Sequence, residues 1–161
     1  MNAHIISIGD ELLAGHTIDS NSVWISQFLS SKGIVTSKKI TIRDNQDEIL
    51  SEVKNSLKRN PEYIFITGGL GPTHDDVTKE SLSELFNQPL IVDEIAYKEM
   101  SKKYASIGKK QIDKNSKKQA MILKNSKLIK NRIGLAVGLS VESDKSNIIV
   151  LPGVPREMKI M

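Results

Sequence analysis

The chain has 161 residues and a net charge of +4, with 39% hydrophobic and 26% charged residues. This is the size and balance of one soluble α/β domain. Disulfides, a thiolate nucleophile and cysteine-ligated zinc are excluded because the sequence contains no cysteine. The N-terminus lacks a basic segment followed by an apolar core, and no apolar run approaches the roughly 18 residues of a membrane span. We therefore predict a cytoplasmic protein without a membrane partner.

The first half of the chain predicts strands that alternate with helices. The predicted strands share short β-branched or aromatic runs and cover residues 4–8, 34–42 and 63–67. The predicted helices have apolar residues at helical spacing: Asp19 or Ser20 to Gly33, Asp47 to Arg59, and a helix after the third strand with Leu82, Leu85 and Phe86 on one face. Residues 10–15 form a loop in this prediction.

The second half has a weaker pattern. It predicts helices over 94–106 and 112–119, short strands or a loop over 120–143, a strand over 147–151, and a helix that begins at Arg156. Alternating strands and helices favour a mostly parallel sheet covered on both faces. We expect one domain over residues 1–161. Because the sequence stops within a starting helix, we also expect it to be part of a longer protein.

The net charge hides a basic segment at residues 102–132, which holds eleven Lys or Arg and one acid, Asp113. Such a segment could be a basic lip over an anionic substrate or an RNA-facing patch. Tyr104 is its one aromatic residue and nearly all its cations are lysines, whereas nucleic-acid binders usually interleave arginine and aromatic residues. A solvated surface is therefore favoured, and nucleic acid is not an expected partner.

A glycine-rich segment, Gly68 to Asp76, lies between the strand at 63–67 and the helix that follows. A strand, a glycine turn and a helix N-terminus aim backbone N–H groups at one spot where an anion can sit. Asp75 and Asp76 would repel a bare phosphate, and a divalent cation or a proton reconciles the two features. The segment favours nucleotide or pyrophosphate chemistry. An ordinary βα turn with an aspartate as helix cap is the alternative.

Four loops of this kind are predicted at the carboxyl ends of strands, where ligands bind to open α/β sheets. They carry carboxylates or glycines and are Gly9 to Glu11, Arg43 to Asp44, Gly68 to Asp76, and Pro152 to Glu157. Their convergence predicts a small-molecule site at one edge of the sheet.

Three segments together resemble the N-terminal domain of competence/damage-inducible protein A (CinA), within the molybdopterin-binding MogA/MoeA-like superfamily. They are residues 9–21, 68–78 and 151–158, in the order and spacing of that family. The resemblance implies a three-layer α/β/α sandwich with a mostly parallel sheet, like other molybdopterin-binding domains, assembled as a homo-oligomer, a dimer or a trimer. The sequence departs from the family pattern after Asn131, where Leu135 and Val137 replace a usual Thr and Pro, whereas Asn131 and Gly134 are retained.

The resemblance implies metal-dependent hydrolysis of the pyrophosphate of ADP-ribose or a related dinucleotide, with Mg²⁺ or a similar divalent cation. The alternative is a module that binds a nucleotide or molybdopterin, as in molybdenum cofactor biosynthesis, without turnover in isolation. In both cases the expected partner is a small molecule, a nucleotide or a pterin.

The candidate site residues divide by expected role, and the resemblance marks Asp44 and Asp76 as the functional aspartates. The catalytic set is Asp44, Asp76 and Glu11. The substrate- and phosphate-binding set is Gly9, Asp10, Asn21, Gly68, Gly69, Gly71, Thr73, Gly153 and Glu157. The metal ligands are Asp75, Asp76 and Asp10. Asp44 or Glu11 would orient and deprotonate a water, with its proton affinity raised by neighbouring carboxylates.

Each polar candidate also has a structural interpretation. Asp10 and Asp44 can be turn formers, Asp75 a helix cap, and Glu157 a first-turn acid stabilised by the helix dipole. Asn21 can cap a helix or bind a ribose or base. His4 and His16 are expected to be structural.

Overall fold

A six-stranded sheet forms the centre of the protein in a computed structural model that describes residues 1–109 and 111–161. The strands are Asn2–Ile8 (β1), Val35–Ile42 (β2), Tyr63–Thr67 (β3), Leu90–Val92 (β4), Met121–Leu123 (β5), Lys127–Ile129 (β6), Gly138–Glu142 (β7) and Asn147–Leu151 (β8). The order in the central sheet is β2-β1-β3-β8-β7-β6. Strands β2, β1, β3 and β8 are parallel, whereas β7 and β6 pair antiparallel. β4 and β5 form a separate antiparallel pair.

Helices connect these strands. They are Asp10–Leu13 (α1), Ser20–Ser31 (α2), Gln46–Lys58 (α3), Thr78–Leu85 (α4), Glu94–Ser106 (α5), Lys114–Lys117 (α6) and Pro155–Ile160 (α7), with a 3₁₀ helix at Lys118–Ala120. In the described part of the chain, no helix is long and apolar enough to cross a membrane.

Apolar side chains cover both faces of the sheet, because neighbouring residues of a strand point to opposite faces. One face packs against α3, α4 and α5; its fully buried side chains include Ile6, Ile64, Ile66, Ile49, Val53 and Leu82. The other face packs against α2 and α7 through Ala3, Ile5, Ile25, Leu29 and Met158. The predicted three-layer α/β/α sandwich with a mostly parallel sheet is confirmed.

Local signals fixed most boundaries to within two residues; β1, for example, begins at Asn2 rather than at His4. The strands at 63–67 and 147–151 and the helix at 94–106 have the predicted limits. Asp19 is the N-cap of α2, where its side chain accepts a hydrogen bond from the amide of Ser22 at 3.0 Å. The i,i+4 pair Trp24 and Phe28 is stacked, with ring centroids 5.4 Å apart.

Three local predictions were wrong, and the alternative in which an aspartate caps α4 is excluded. The loop predicted at residues 10–15 begins with the short helix α1, because the Gly9 carbonyl accepts hydrogen bonds from the amides of Leu12 and Leu13. The helix predicted at 112–119 starts later, since the Asp113 side chain caps α6 by accepting from the Ser116 amide at 2.8 Å. The residue at the N-cap of α4 is Val77, so no aspartate caps that helix. α4 also ends at Leu85, so Phe86 packs on the core from just beyond it.

The parallel register brings the ends of four strands to one edge. Ile8 is opposite Ile42, Ser7 is opposite Thr67, and Thr67 is opposite Leu151. The loops that follow β1, β2, β3 and β8 therefore start side by side, although the first begins at Gly9 and the last at Pro152.

Candidate functional site

A cleft of about 800 Å³ lies at this edge of the sheet. Its walls come from the loops after β1, β2, β3 and β8, and from two segments outside those loops, Gln119 and residues 134–136. It is lined by Ile8, Glu11, Asp44, Gly68, Gly69, Leu70, Gly71, Pro72, Thr73, Asp75, Asp76, Gln119, Gly134, Leu135, Ala136, Pro152, Gly153, Val154, Pro155 and Glu157.

Most of the predicted site residues line this cleft. They are Glu11, Asp44, Gly68, Gly69, Gly71, Thr73, Asp75, Asp76, Gly153 and Glu157. Three others do not: Gly9 and Asp10 are not among the lining residues, and Asn21 lines a smaller neighbouring cavity of about 80 Å³. The structure thus brings ten of the predicted residues to one surface and leaves three at its margin.

The glycine-rich loop has a shape that requires glycine at two positions. Gly68 and Gly69 have φ values of 112° and 66°, in the left-handed region that glycine adopts without steric cost. A Cβ at Gly68 would collide with the backbone carbonyl of Ile8, and one at Gly69 with the Thr78 hydroxyl. These glycines let the loop cross the end of β1 closely and pack on the start of α4.

Three consecutive amides of this loop have no acceptor among the residues that the structure describes. Within residues 1–109 and 111–161, the amides of Gly69, Leu70 and Gly71 donate no hydrogen bond to the protein. Gly68 differs, because its amide donates to the Leu151 carbonyl at 3.1 Å. Successive unpaired amides in a glycine turn form a concavity that suits an anion. The loop can therefore bind a phosphate group through its amides from Gly69 to Gly71, whereas Gly68 contributes shape.

Asp44 is a half-buried carboxylate in the loop after β2. Its Oδ2 accepts a hydrogen bond from the Asp10 amide at 3.0 Å. Burial raises the pKa of Asp44, and the negative charges of Glu11, Asp10 and Asp76 raise it further, against the lowering effect of the Asp10 amide. A carboxylate with raised proton affinity beside an anion-binding loop is suited to accept a proton from water.

Asp76 holds the glycine-rich loop closed. Its Oδ2 accepts hydrogen bonds from the Thr73 amide at 2.9 Å and from the Thr73 hydroxyl at 2.5 Å. The Thr73 hydroxyl hydrogen, which was predicted to contact phosphate, is thus donated to Asp76 in this conformation. The Asp76 carboxylate also occupies the space that a Cβ at Gly71 would need, 2.5 Å away.

The same arrangement recurs elsewhere on the cleft. The Glu11 carboxylate lies where a Cβ at Gly9 would be, 2.6 Å away, and the Glu157 carboxylate lies where a Cβ at Gly134 would be. Glycines at these positions make room for acidic side chains to fold back on the backbone. A Cβ at Gly9 would displace only the end of the flexible Glu11 side chain, whereas one at Gly134 would also meet the amide of the buried Asn131.

The donor set fits a hard divalent cation that is held partly by substrate. All charged groups on the cleft wall are carboxylates, the ligands that Mg²⁺ prefers. The described residues contain no group of three His, Cys, Asp or Glu placed to hold a metal ion, so Asp10, Asp75 and Asp76 do not form a preassembled cage. Mg²⁺ usually binds through one or two carboxylates plus substrate phosphates, which this arrangement allows.

Two lysines tie the glycine-rich loop and the start of α4 to the basic segment. The Lys118 ammonium donates to the Asp76 carbonyl at 3.1 Å and pairs with Glu80 at 2.9 Å. The Lys79 ammonium, only 4% exposed, donates to the carbonyls of Gln119 at 3.1 Å and Lys118 at 3.4 Å. Burial lowers the pKa of Lys79 to about 7. Lys118 thus joins the glycine-rich loop to helix α4 and has a structural role. Lys110, another lysine of the basic segment, lies outside the described residues.

Asn21 lies between the cleft and the small cavity beside it. Its Nδ2 donates to the Thr67 hydroxyl at 2.9 Å and to the Gly153 carbonyl at 2.8 Å. The Thr67 hydroxyl in turn donates to the Pro152 carbonyl at 3.0 Å. Asn21 therefore joins β3 to the loop after β8 and fixes the position of Gly153 on the cleft wall.

Sequence reasoning missed the contributions of Gln119, Lys79 and Asn131. Gln119 and Lys79 are residue types that are mostly exposed in proteins, so their identity gave no sign that they are buried. Asn131 carried a signal, because it is retained in a loop that otherwise departs from the family pattern. Its side chain contacts Glu157 at 2.6 Å, 26 residues away in sequence.

Comparisons with known proteins agree with this architecture. The family described as "Probable molybdopterin binding domain" matches residues 4–161. A CinA crystal structure from Thermoplasma acidophilum, described as having unknown function, superposes with a TM-score of 0.90 at 34% identity, over 99% of this chain and 92% of that one. The molybdopterin biosynthesis enzyme MoaB of Thermus thermophilus shares the fold, with a TM-score of 0.64 at 16% identity, over 98% of this chain and 84% of that one.

Two curated relatives extend the comparison. A protein of Natranaerobius thermophilus, provisionally named a competence-damage inducible protein, is 42% identical over 99% of this chain and 39% of its own length. A CinA-like protein of Chlorobium phaeobacteroides is 39% identical over 100% of this chain and 39% of its own length. The chain spans 39% to 66% of the length of the curated relatives it matches. With a matching family model and a shared fold, the chain belongs to the CinA-like family of molybdopterin-binding domains.

Proposed function

We propose that this chain hydrolyses the pyrophosphate bond of ADP-ribose or a related dinucleotide. The observation that carries the proposal is the juxtaposition of an anion-binding loop and a proton acceptor on one cleft. The unpaired amides of Gly69, Leu70 and Gly71 suit phosphate oxygens. Asp44, whose pKa is raised by burial and by neighbouring carboxylates, lines the same cleft. Its volume of about 800 Å³ accommodates a dinucleotide-sized ligand.

In this proposal the loop binds the pyrophosphate and Asp44 orients a water molecule. The water oxygen forms a bond to one phosphorus while the bond from that phosphorus to the bridging oxygen breaks. Asp44 takes the proton that the water loses. The products are AMP and ribose 5-phosphate when ADP-ribose is the substrate. The amides stabilise the charge that develops on the phosphoryl oxygens, because they are already oriented before the reaction.

Asp75 and Asp76, with oxygens of the bound pyrophosphate, would hold the divalent cation. Such an ion neutralises charge between the carboxylates and the phosphates. Asp76 has one oxygen engaged with Thr73, which leaves Oδ1 for this role. The cation requirement is a proposal that rests on the chemistry of these carboxylates.

The test is hydrolysis of ADP-ribose by the purified chain, with and without Mg²⁺, Mn²⁺ or Co²⁺. Two variants divide the role of Asp76. Asp76→Asn keeps an oxygen that can accept from Thr73 but removes the charge, whereas Asp76→Ala removes both. Asp144→Asn, on an exposed loop remote from the cleft, is the matched control. We expect AMP release that requires the cation, survives in Asp144→Asn, and is lost in both Asp76 variants.

A binding role for a nucleotide or molybdopterin without turnover is the second candidate. It is favoured by the engagement of Asp76 Oδ2 with Thr73, which makes this carboxylate a structural tie of the loop. In that case the chain would release no AMP, while ADP-ribose or a molybdopterin precursor would still raise its melting temperature. Turnover at an equal rate in Asp76→Asn and the wild type would reject a charged catalytic role for Asp76.

A further inference from the structure

Asn131 is a buried side chain whose hydrogen-bonding capacity is fully used. It is 4% exposed. Its Nδ2 donates to the Ala136 carbonyl at 2.9 Å and to Glu157 Oε2 at 2.6 Å. Its Oδ1 accepts from the amides of Gly134 at 2.7 Å and Ile133 at 3.2 Å. A carbonyl and a carboxylate can only accept, so these partners fix which end of the amide faces Glu157.

The loop that presents Asn131 is held from behind by Lys103 of α5. The Lys103 ammonium donates to the carbonyls of Asn131, at 3.3 Å, and of Gly134. The Glu157 carboxylate and the Asn131 amide also occupy the space where a Cβ at Gly134 would be. The three polar side chains and this glycine therefore form one packed unit, drawn from α5, the 131–136 loop and α7.

Among the three polar side chains of this unit, Glu157 lines the cleft, together with the backbone of Gly134. Asn131 holds its Oε2, whereas Oε1 accepts no hydrogen bond from any residue that the structure describes. An ionised carboxylate only accepts hydrogen bonds and repels phosphate. The part of a ligand that it can take is therefore a hydroxyl or N–H group. Within the cleft, the unpaired amides of Gly69 to Gly71 are suited to the opposite chemistry.

We propose that Asn131, backed by Lys103, is a positioning residue that holds Glu157 as an acceptor for the hydroxyl or N–H groups of the ligand's sugar or ring. The inference rests on the proposed function, in which the glycine-rich loop takes the pyrophosphate. Residues 131–136 would then determine which nucleotide-like group binds. This role depends on Asn131 and Gly134, which are retained, and not on the positions where Leu135 and Val137 depart from the family pattern.

The test replaces the Asn131 amide with a carboxylate of the same shape. Two carboxylates 2.6 Å apart cannot both be ionised. The new carboxylate can therefore form a hydrogen bond to Glu157 only when the two groups share a proton. ADP-ribose binding is measured by calorimetry from about pH 5 to about pH 8 for the wild type, for Asn131→Asp and for Asn125→Asp, an exposed control with the same charge change. Inorganic pyrophosphate is the second probe, because it has neither sugar nor ring.

We expect Asn131→Asp to bind ADP-ribose about 10- to 100-fold more weakly than the wild type at pH 8, and to recover as the pH falls. Its affinity for pyrophosphate should match that of the wild type, and Asn125→Asp should match it for both probes. A loss of ADP-ribose affinity by the same factor at every pH, or an equal loss for pyrophosphate, overturns the inference. A wild-type chain that does not bind ADP-ribose instead overturns the proposed function, and the inference with it.

Lys103 supplies a second test that replaces no lining residue, since its side chain does not line the cleft. Lys103→Met removes the donors to both loop carbonyls, and Lys103→Arg retains donors. We expect Lys103→Met to weaken ADP-ribose binding several-fold with little change for pyrophosphate, and Lys103→Arg to restore much of the loss. Wild-type ADP-ribose affinity in Lys103→Met contradicts the positioning role, even if Asn131→Asp fails to fold.

Discussion

The cleft and the polar network around His4 contain similar side chains in opposite settings. In the network, the Ser56 hydroxyl donates to Glu52 Oε1 at 3.0 Å, so the His4 ring must donate to Ser56 through Nδ1, also at 3.0 Å. Lys38 completes it by donating to the same Glu52 oxygen at 2.6 Å. In the cleft, by contrast, the amides of Gly69 to Gly71 and one oxygen of Glu157 have no partner among the described residues.

The difference shows why residue type alone does not mark a site. A Ser–His–Glu series resembles the arrangement that activates a nucleophile. Ser56 is nevertheless 0% exposed, and its hydroxyl is bonded on both sides. No substrate can reach it, so the network joins β1, β2 and α3. Chemistry is expected where polar groups remain unpaired and open, at the other end of the strands.

The largest expected effect is at Asp44 in the cleft. Asp44→Asn should reduce the kcat for ADP-ribose about 100-fold or more, because the amide cannot accept the proton of water. The pKa of Asp44 is raised from its unfolded value of 3.8, so the fold disfavours the ionised carboxylate. Asp44→Asn removes this charge and should therefore keep or raise the free energy of unfolding at neutral pH. Steady-state kinetics and thermal melting test both points. Activity within tenfold of the wild type would show that another group accepts the proton.

The opposite result is expected in the network. Ser56→Ala leaves the buried His4 and Glu52 without their shared partner and should lower the free energy of unfolding by about 1–3 kcal/mol. Ser51→Ala, exposed on the same helix, should change it by no more than about 0.5 kcal/mol. Urea unfolding measures this, and the ADP-ribose turnover of the folded variants should be unchanged. A loss of turnover in Ser56→Ala without unfolding would break the comparison.

Lys79 combines features of both regions, since it is buried like the network but lies behind the glycine-rich loop. Its pKa in the fold is lowered to about 7, so between about pH 7 and 10.5 the unfolded chain binds more protons than the folded one. The free energy of unfolding should therefore rise with pH in this window. Denaturant unfolding at about pH 7 and about pH 9.5 measures the slope. Lys79→Met should flatten it, and the exposed control Lys39→Met should not.

The smallest expected effect is the response of His4 to acid. Burial lowers the pKa of His4, with further lowering by the positive charges of Lys38 and Arg59 and an opposing effect of Glu52. The contribution of His4 to the free energy of unfolding is present above its unfolded pKa of 6.5 and is lost as the pH falls through its pKa in the fold. Melting at about pH 8 and about pH 5.5 should show a smaller decrease in His4→Gln than in the wild type. His16→Gln, at an exposed position, should retain the wild-type decrease.

Much of the fold could be predicted because its signals are local. The β-branched runs that form β3 and β8, and the Asp19 cap of α2, are each set by a few neighbouring residues. Prediction failed where a side chain competed locally with the pattern, as Asp113 does by capping α6 after the expected start. It also failed at α1, whose four residues are too few to show a periodic pattern.

The candidate site divides in the same way. Ten of its residues could be found because the loops at the carboxyl ends of parallel strands must meet at one edge. Gln119 and residues 134–136 could not, since they reach the cleft from the second half of the chain, where short strands carry little pattern. The hydrogen bond from the Thr73 hydroxyl to Asp76 could not be predicted either, although the two residues are three positions apart.

By itself, the sequence determined the alternation of strands and helices, the glycine turn after β3, and the set of carboxylates at the strand ends. Only the tertiary structure decided which polar groups would be paired. Asp10 meets Asp44 across 34 residues, Lys79 meets Gln119 across 40, and Asn21 meets Gly153 across 132. The reason is that a hydrogen bond depends on distance and direction in space, so the unpaired groups that mark a site appear only after the chain has folded.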